Sequence, residues 1–267
     1  MNVGLALSGG AARGIAHIGV LQYLSEREVK PVCIAGTSAG SIAGALYCTG
    51  RSIDEITEIV SQMSWKELIK LSLPRKGIIK SSRLLNMLKD ELGDVTFDQL
   101  ETPLIVNAVD LLEGEELVMT EGPVAEAVAA SCAIPGIFTP VRLEDRLLVD
   151  GGLLNNLPSA HLKERDVDFI IAVNVTAQKP LHKEPETIFE VLIQSYDIIR
   201  RHRDIPACSN ADALVEPDLT GFNYWDTGKS KELIEKGYQA AAEALDNIDL
   251  YKKQSRLARW FSRRKSG

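Results

Sequence analysis

Two strand–turn–helix units follow one another at the start of the chain, and they constrain the fold more than any other feature. The first places an apolar strand over Val3–Leu7 before a glycine-rich turn over Ser8–Gly14 and a helix. The second places a strand over Val32–Ala35 before a turn over Gly36–Gly40 and another helix. Successive strands joined through helices run parallel, with helices on both sheet faces. The chain is therefore predicted to be α/β with a mainly parallel sheet.

Hydrophobic periodicity and turn residues divide the rest of the chain into further elements. Strands are predicted over Leu104–Val109, Glu116–Thr120, Phe169–Val175 and Ala213–Glu216, with a tight hairpin within Arg142–Val149. Helices are predicted over Ser52–Leu92 with a break near Pro74, and over Val124–Cys132, Thr187–Arg203 and Ser230–Ile248. Because no repeat or Pro/Gly/Ser-rich linker interrupts these elements, we expect one domain over residues 1–250 and a basic tail over residues 251–267.

Composition limits the classes of function. The 267 residues carry a net charge of −7, whereas a nucleic-acid-binding protein is normally basic, so we expect no nucleic-acid partner. The four cysteines are scattered without a paired spacing, which is typical of a reducing compartment. Neither a secretory signal nor a membrane-spanning run is visible, so the sequence predicts a cytoplasmic protein.

The strongest local signal is the pattern Gly36-x-Ser38-x-Gly40 between a β-branched strand and a helix of small residues. A sharp strand-to-helix turn of this kind holds a serine hydroxyl out of the fold, and small neighbours let strand and helix approach closely. The helix N-terminus also presents N–H groups to developing negative charge. The pattern therefore favours Ser38 as a nucleophile; the alternative is that Ser38 only caps its helix.

A second signal is the glycine-rich turn that includes Gly9, Gly10, Ala11, Ala12, Arg13 and Gly14. Strings of small residues expose backbone N–H groups, which can bind an oxyanion. A dinucleotide-binding loop is the competing interpretation, but the methyl group of Ala11 hinders a pyrophosphate, and the second strand lacks the expected acidic residue. A phosphate-binding Walker loop is excluded because no Gly-Lys-Ser/Thr follows.

A third signal is Asp150-Gly151-Gly152 after the strand residues Leu147–Val149. A carboxylate at a strand end, followed by two permissive glycines, is well placed to face a cleft and to act as a base. The alternative is an Asp-Gly turn in which Asp150 bonds only local N–H groups.

None of the four histidines stands in a setting that suggests a triad with Ser38 and Asp150. His161 and His182 lie in polar segments and His202 lies among arginines, so we expect all three to be solvated. His17 follows the glycine-rich turn at helical spacing and is expected to pack beneath it. The sequence therefore favours a two-residue catalytic device.

These loops, in this order, resemble the patatin-like phospholipase family of bacterial proteins, over roughly Val3 to Leu245. The matching segments are Leu7–Gly14 with His17–Leu21, Gly36–Gly40, Ser131–Pro135 with Phe138–Val141, and Asp150–Gly152 with Asn156–Pro158. Four ordered matches are far more specific than one.

The resemblance implies a three-layer α/β/α sandwich and a serine esterase or lipid acyl hydrolase that needs no metal or cofactor. It places the nucleophile on Ser38, its partner on Asp150, and the oxyanion hole on Gly9–Ala12. The supporting loop residues are then Arg13, Gly14, Gly36, Gly40, Gly151 and Gly152. The family loop usually has a third glycine where this chain has Ala11, which costs about 1 kcal/mol if φ is positive there.

Two segments suggest how a lipid or other ester substrate reaches the site. Residues 251–267 combine seven Lys or Arg with Leu257, Trp260 and Phe261, as in a basic helix that contacts an anionic inner-membrane surface peripherally. The alternative is a solvated tail. The apolar stripe of residues 187–203 either covers an acyl cleft or packs in the core.

Two other functions remain open at this stage. A catalytically weak patatin-fold protein could act as a regulatory or lipid-binding protein, and Ala11 is the feature that favours it. A nucleotide-binding protein is the third choice.

Overall fold

An eight-stranded mixed sheet forms the centre of the computed structural model, which describes residues 1–62, 79–177, 184, 188–222 and 227–250. Its strands are β1 Val3–Leu7, β2 Cys33–Gly36, β3 Leu104–Asp110, β4 Glu115–Met119, β5 Val141–Leu143, β6 Arg146–Asp150, β7 Phe169–Val173 and β8 Ala213–Val215. The path β3-β2-β1-β7-β8 is parallel throughout, while β4, β5 and β6 pair antiparallel. The predicted mainly parallel sheet is confirmed.

The described helices are α1 Ala16–Glu26, α2 Ala39–Cys48, α3 Ile53–Gln62, α4 Ser81–Leu92, α5 Val124–Ser131, α6 Ile188–Cys208 and α7 Ser230–Leu245. The break predicted near Pro74 and the basic tail over residues 251–267 lie outside the described residues. Helix α6 runs five residues past its predicted end at Arg203 because Ala207 and Cys208 pack against the sheet and the Ser159 hydroxyl donates to the Ala207 carbonyl. Among the described helices, none is long and apolar enough to cross a bilayer.

Two apolar cores lie on opposite faces of the sheet, because successive side chains of a strand point to opposite sides. Leu5 and Leu7 of β1 pack into the larger core with the helices α1, α2, α5 and α7. Ala6, between them, joins the smaller core with Leu157, Leu162 and the C-terminal end of α6. Helices therefore cover both faces, and the predicted three-layer α/β/α sandwich is confirmed.

The register of β3 brings the ends of β2 and β6 together. Val106 pairs with Gly36 of β2 and with Met119 of β4, so those two strands lie on opposite sides of β3. Ala108 pairs with β4 and with Asp150, so β6 lies on the β2 side. Because β2 is parallel to β3 and β6 is antiparallel to it, β2 and β6 point toward each other. The residues that follow Gly36 therefore meet Asp150, more than a hundred residues later in the chain.

Candidate active site

Ser38 lies at the sharp turn between β2 and α2. Its backbone angles, φ 50° and ψ −122°, fall in a region that non-glycine residues rarely occupy. The surrounding structure holds this conformation in part by a bond of 2.8 Å from the Ser38 N–H to the Ser131 hydroxyl. The Ser38 side chain makes no capping hydrogen bond to α2, although the residue occupies the N-cap position. The alternative in which Ser38 only caps its helix therefore does not describe this turn.

The glycines two residues before and after Ser38 are required by close backbone approach. A Cβ atom on Gly36 would lie 2.6 Å from the Gly40 carbonyl oxygen. A Cβ atom on Gly40 would lie 2.3 Å from the Leu7 carbonyl oxygen at the end of β1. Both distances are well below normal van der Waals contact, so larger residues would move the turn that carries Ser38.

The glycine-rich turn between β1 and α1 lies directly beside Ser38. A Cβ atom on Gly9 would be 3.2 Å from Cβ of Ser38, so the two backbones are nearly in contact. The Gly9 N–H donates to the Asn156 carbonyl over 3.1 Å. Gly9 is one of the four residues expected to form the oxyanion hole, and its N–H group is therefore already hydrogen-bonded. In the part of the chain that the structure describes, the N–H groups of Gly10, Ala11 and Ala12 have no acceptor. Of these three residues, Gly10 and Ala11 line the cavity beside Ser38, whereas Ala12 is not part of its described lining.

Ala11 adopts a φ of +48°, the left-handed conformation that the third glycine of the family loop would accommodate freely. The methyl group costs about 1 kcal/mol of strain there. Alanine keeps the backbone N–H that a glycine would have. Ala11 is the first residue of a short 3₁₀ helix over Ala11–Ile15, and the first N–H groups of such a helix have no acceptor within it. The departure from the family pattern thus changes the strain of the turn and preserves its donors.

Buried polar contacts hold this turn from below. The guanidinium of Arg13 is buried, and its Nε and Nη2 donate to the Phe222 carbonyl over 3.0 and 2.8 Å. Arg13 therefore contacts the backbone at Phe222 from inside the fold. His17 is fully buried and its Nε2 contacts the Ser8 carbonyl at 2.8 Å, as the expected packing beneath the turn requires. Burial lowers the pKa of His17 to about 4, so the neutral ring donates to that carbonyl at neutral pH.

The carboxylate of Asp150 lies at the end of β6, where it is only 1% exposed. Its Oδ1 accepts the Gly152 N–H over 2.8 Å, which is the local turn contact, and also the Tyr196 hydroxyl over 3.2 Å. Asp150 is therefore more than an Asp-Gly turn residue. A Cβ atom on Gly152 would lie 2.5 Å from that hydroxyl, and one on Gly151 would lie 2.5 Å from the Asn107 carbonyl oxygen. Gly152 thus allows the Tyr196 hydroxyl to approach the carboxylate, and Gly151 allows the turn to pack against Asn107.

Burial raises the pKa of Asp150 from 3.8 to about 6, because desolvation penalises the charged form. Several groups pull the pKa of Asp150 back down; they are the hydroxyls of Ser38 and Tyr196, the Gly152 N–H and the Arg200 guanidinium. The Cys132 thiol also faces this carboxylate, whose charge, with burial, raises the pKa of Cys132. The carboxyl of Asp150 is thus ionised at neutral pH, with a pKa above that of an exposed aspartate.

These groups line one partly open cavity of about 410 Å³. Its lining residues are Gly9, Gly10, Ala11, Ser38, Ile134, Ile137, Asp150, Asn156, Tyr196, Asp197 and Arg200. The sequence analysis considered residues 187–203 as a possible cover of a cleft, but it did not predict that Tyr196, Asp197 and Arg200 of α6 contribute polar groups to this cavity. The spacing of Tyr196, Arg200 and Asp204, four residues apart on one helix face, was the available signal, since polar residues rarely repeat on a buried face.

The apolar residues of α6 do not all lie on a buried face. Tyr196 faces the cavity, whereas Val191, Leu192 and Ile199 are 46%, 53% and 49% exposed. These three aliphatic side chains are therefore not core residues, and plain core packing is wrong for them.

His161 lies in a separate polar cluster. Its Nε2 is 2.8 Å from Oε1 of Glu116, which also accepts the side-chain amides of Asn107 and Asn155. The cluster connects to the Ser38 turn because the Thr37 hydroxyl donates to the Asn107 side chain over 2.7 Å. The expected solvated setting of His161 is therefore wrong. Neither of the two histidines whose side chains are described, His17 and His161, lines the cavity.

Replacing Asp150 with asparagine is expected to stabilise the protein. The raised pKa of Asp150 means that its carboxyl ionises less readily in the folded state than in the unfolded state. The free energy of unfolding of the wild-type protein therefore falls as pH rises from about 4 to about 6, and it stays at the lower value above pH 6. A shift of this size corresponds to about 3 kcal/mol at most. Asparagine keeps the acceptor for Gly152 and Tyr196 without the charge. In thermal melts, Asp150→Asn should unfold above wild type at about pH 8, and the gap should vanish below about pH 4.

Asp145→Asn is the matched control, since Asp145 is exposed in the β5–β6 turn. It should melt like wild type at every pH. A melting temperature of Asp150→Asn below that of wild type at alkaline pH would contradict the buried-charge account.

Comparison with known proteins gives a family. The patatin-like phospholipase profile matches residues 5–162. An uncharacterized NTE family protein of Mycobacterium tuberculosis is 38% identical over 180 residues, which are 66% of this chain and 50% of that protein. The lysophospholipase NTE1 of Pyricularia oryzae is 24% identical over 282 residues, covering 92% of this chain and 18% of that protein. The chain thus spans half or less of the length of these curated relatives.

The fold has a counterpart among solved structures. VipD from Legionella pneumophila superposes with a TM-score of 0.64 at 14% sequence identity, over 92% of this chain and 66% of VipD. At that identity the likeness concerns the fold alone, and it agrees with the layers and sheet described above. Together with the profile match, which covers more than half of the sequence, these observations show that the chain belongs to the patatin-like phospholipase family.

Proposed function

We propose that the protein is a serine-dependent lipid acyl hydrolase that cleaves carboxylic esters, of the phospholipase or lysophospholipase type. The observation that carries this proposal is the shared cavity, in which the strained Ser38, the buried Asp150 and the N–H groups of the glycine-rich turn meet. Family membership and the lysophospholipase relative support a lipid ester as substrate. The test is release of fatty acid from a lysophospholipid and of p-nitrophenol from acyl esters, compared between wild type and Ser38→Ala.

In the first half-reaction Asp150 accepts the hydroxyl proton of Ser38 while Oγ attacks the ester carbonyl carbon. The carbonyl oxygen becomes an oxyanion, and in this proposal the N–H groups of Gly10, Ala11 and Ala12 donate hydrogen bonds to it. One such donor contributes on the order of 3 kcal/mol to the transition state. Collapse of the tetrahedral intermediate breaks the ester bond, and the protonated Asp150 gives its proton to the leaving alkoxide. An acyl-enzyme on Ser38 remains.

In the second half-reaction water replaces the alcohol. Asp150, ionised again, takes a proton from a water molecule as that water attacks the acyl carbon, and the same N–H groups hold the second oxyanion. Collapse returns the proton from Asp150 to Oγ of Ser38 and releases the carboxylic acid. Two residues suffice because the pKa of Asp150, about 6, lies close enough to neutrality for the carboxyl to act in both directions.

Tyr196→Phe is expected to shift the acidic limb of the pH–rate profile to higher pH. The Tyr196 hydroxyl donates to Oδ1 of Asp150 and so lowers the pKa of that carboxyl. Without it the pKa of Asp150 rises, and a smaller fraction of the enzyme holds the ionised base at mildly acidic pH. The plot of kcat/KM against pH should therefore lose more activity at about pH 6 than at about pH 8.

Tyr238→Phe serves as the control, because the Tyr238 hydroxyl donates to Glu26 on the surface, away from the cavity. Its profile should superpose on that of wild type. If Tyr196→Phe lowered kcat/KM by the same factor at every pH, the hydroxyl would have no part in tuning the base.

A further inference from the structure

A second, partly open cavity adjoins the glycine-rich turn, with about 320 Å³ of free space when its open mouth is included. Its described lining consists entirely of glycine and aliphatic residues, namely Ala11, Gly14, Ile15, Ile18, Ala39, Ile42, Ala43 and Val60. No charged or hydrogen-bonding side chain occurs among them. Each of the isoleucines is at most 5% exposed, so the walls are part of the folded core and are held in place by it. A cavity of this chemistry suits a hydrocarbon and no polar ligand.

This apolar cavity lies next to the cavity that contains Ser38 and Asp150. Ala11 lines both cavities. Ala39, on the opposite wall, is the residue that follows Ser38. The apolar cavity therefore shares the Ala11 wall with the first cavity and borders the residue that follows Ser38.

Gly14 of the glycine-rich turn and Ala39 of α2 lie on opposite walls of the apolar cavity, and the two walls approach closely there because residue 14 is glycine. A Cβ atom on Gly14 would lie 2.4 Å from Cβ of Ala39, so glycine is required for the turn to reach the start of α2. Ile15 and Ile18 extend one wall toward α1, and Ile42 extends the other along α2. Val60 of α3 contributes to the lining from a third element, and it is 8% exposed.

We propose that this apolar cavity binds the aliphatic acyl chain of the ester substrate. The inference rests on the proposed function, since it assigns a binding site to the acyl chain whose carbonyl carbon Ser38 attacks. Burial of one methylene group corresponds to about a fourfold gain in binding. The specificity constant should therefore rise with acyl length until the cavity is filled, and then level off.

The test is a series of p-nitrophenyl esters from acetate to dodecanoate, measured with wild type, Val60→Phe and Val60→Ala. Phenylalanine at this wall fills part of the cavity, so the ratio of kcat/KM for decanoate to that for acetate should fall at least about tenfold. Alanine widens the cavity and should move the plateau to longer chains. Because Val60→Ala removes only two methyl groups, it provides a result even if the larger side chain destabilises α3.

Ile59→Phe is the matched control, since Ile59 is the neighbouring half-buried residue on α3 and does not line the cavity. Its chain-length profile should follow that of wild type. Profiles of both Val60 variants that superpose on wild type would overturn the assignment while leaving the proposed function intact. Failure of the folded wild-type protein to hydrolyse any ester, acetate included, would instead refute the proposed function, and the acyl assignment with it.

Discussion

Ser38→Ala should lower kcat for ester hydrolysis by at least about 1000-fold while leaving the fold intact. The substitution removes the only atom that forms the covalent intermediate in the proposed mechanism. Its structural cost is small, because the turn is held by the Ser38 N–H bond to Ser131 and by the glycines on either side. Fatty-acid release from a lysophospholipid and p-nitrophenol release measure the loss.

Ser61→Ala is the control for this change, since Ser61 is an exposed serine at the end of α3. It should retain wild-type turnover. Circular dichroism and melting temperature would show that Ser38→Ala is folded. Retention of more than about a tenth of wild-type kcat by that folded variant would mean that another group is the nucleophile.

Asp150→Asn should lower kcat by about 1000-fold or more, because the other carboxylate in the described lining, Asp197, is paired with the Arg200 guanidinium over 2.8 Å and is not expected to replace Asp150 as the acceptor of the Ser38 proton. The asparagine side chain has the shape of aspartate and keeps an oxygen acceptor for the Gly152 N–H and the Tyr196 hydroxyl. The loss of kcat therefore measures the contribution of the carboxylate as a base. The combination of Ser38→Ala with Asp150→Asn tests whether the two residues act as one device. The double variant should be no slower than either single variant, since residues that act in one step are not additive.

An additive loss in the double variant would contradict a shared step. Recovery of wild-type rate by Asp150→Asn at alkaline pH would also contradict it, because hydroxide would then be replacing a weak contribution of the carboxylate. The increase in melting temperature expected for Asp150→Asn separates two effects of this carboxylate: in the proposed mechanism it favours catalysis, and its burial opposes folding.

The local pattern of the sequence predicted much of the fold because the relevant forces are local. Strand β1 was predicted with its observed bounds, since five consecutive buried residues between turn signals leave few alternatives. The turn around Ser38 could be predicted from the small residues two positions before and after it. The structure shows why they are small: a Cβ atom on Gly40 would lie 2.3 Å from the Leu7 carbonyl oxygen.

Other parts of the site depend on long-range geometry that no short pattern encodes. The approach of Asp150 to Ser38 arises because β2 and β6 share one side of β3, which only the strand registers reveal. The Tyr196 contact with Asp150 spans 46 positions between two elements. The engagement of the Gly9 N–H by the Asn156 carbonyl likewise depends on a loop packed from elsewhere in the chain.

Labelling with a fluorophosphonate, followed by peptide mass mapping, tests the central claim most directly. Phosphonylation requires an activated serine and a formed oxyanion hole, but no knowledge of the natural substrate. One adduct on Ser38 is predicted; it should be absent from Ser38→Ala, form much more slowly in Asp150→Asn, and form more slowly in wild type as pH falls below about 6. A folded wild-type protein that takes up no adduct, or takes it up on another residue, would contradict the account.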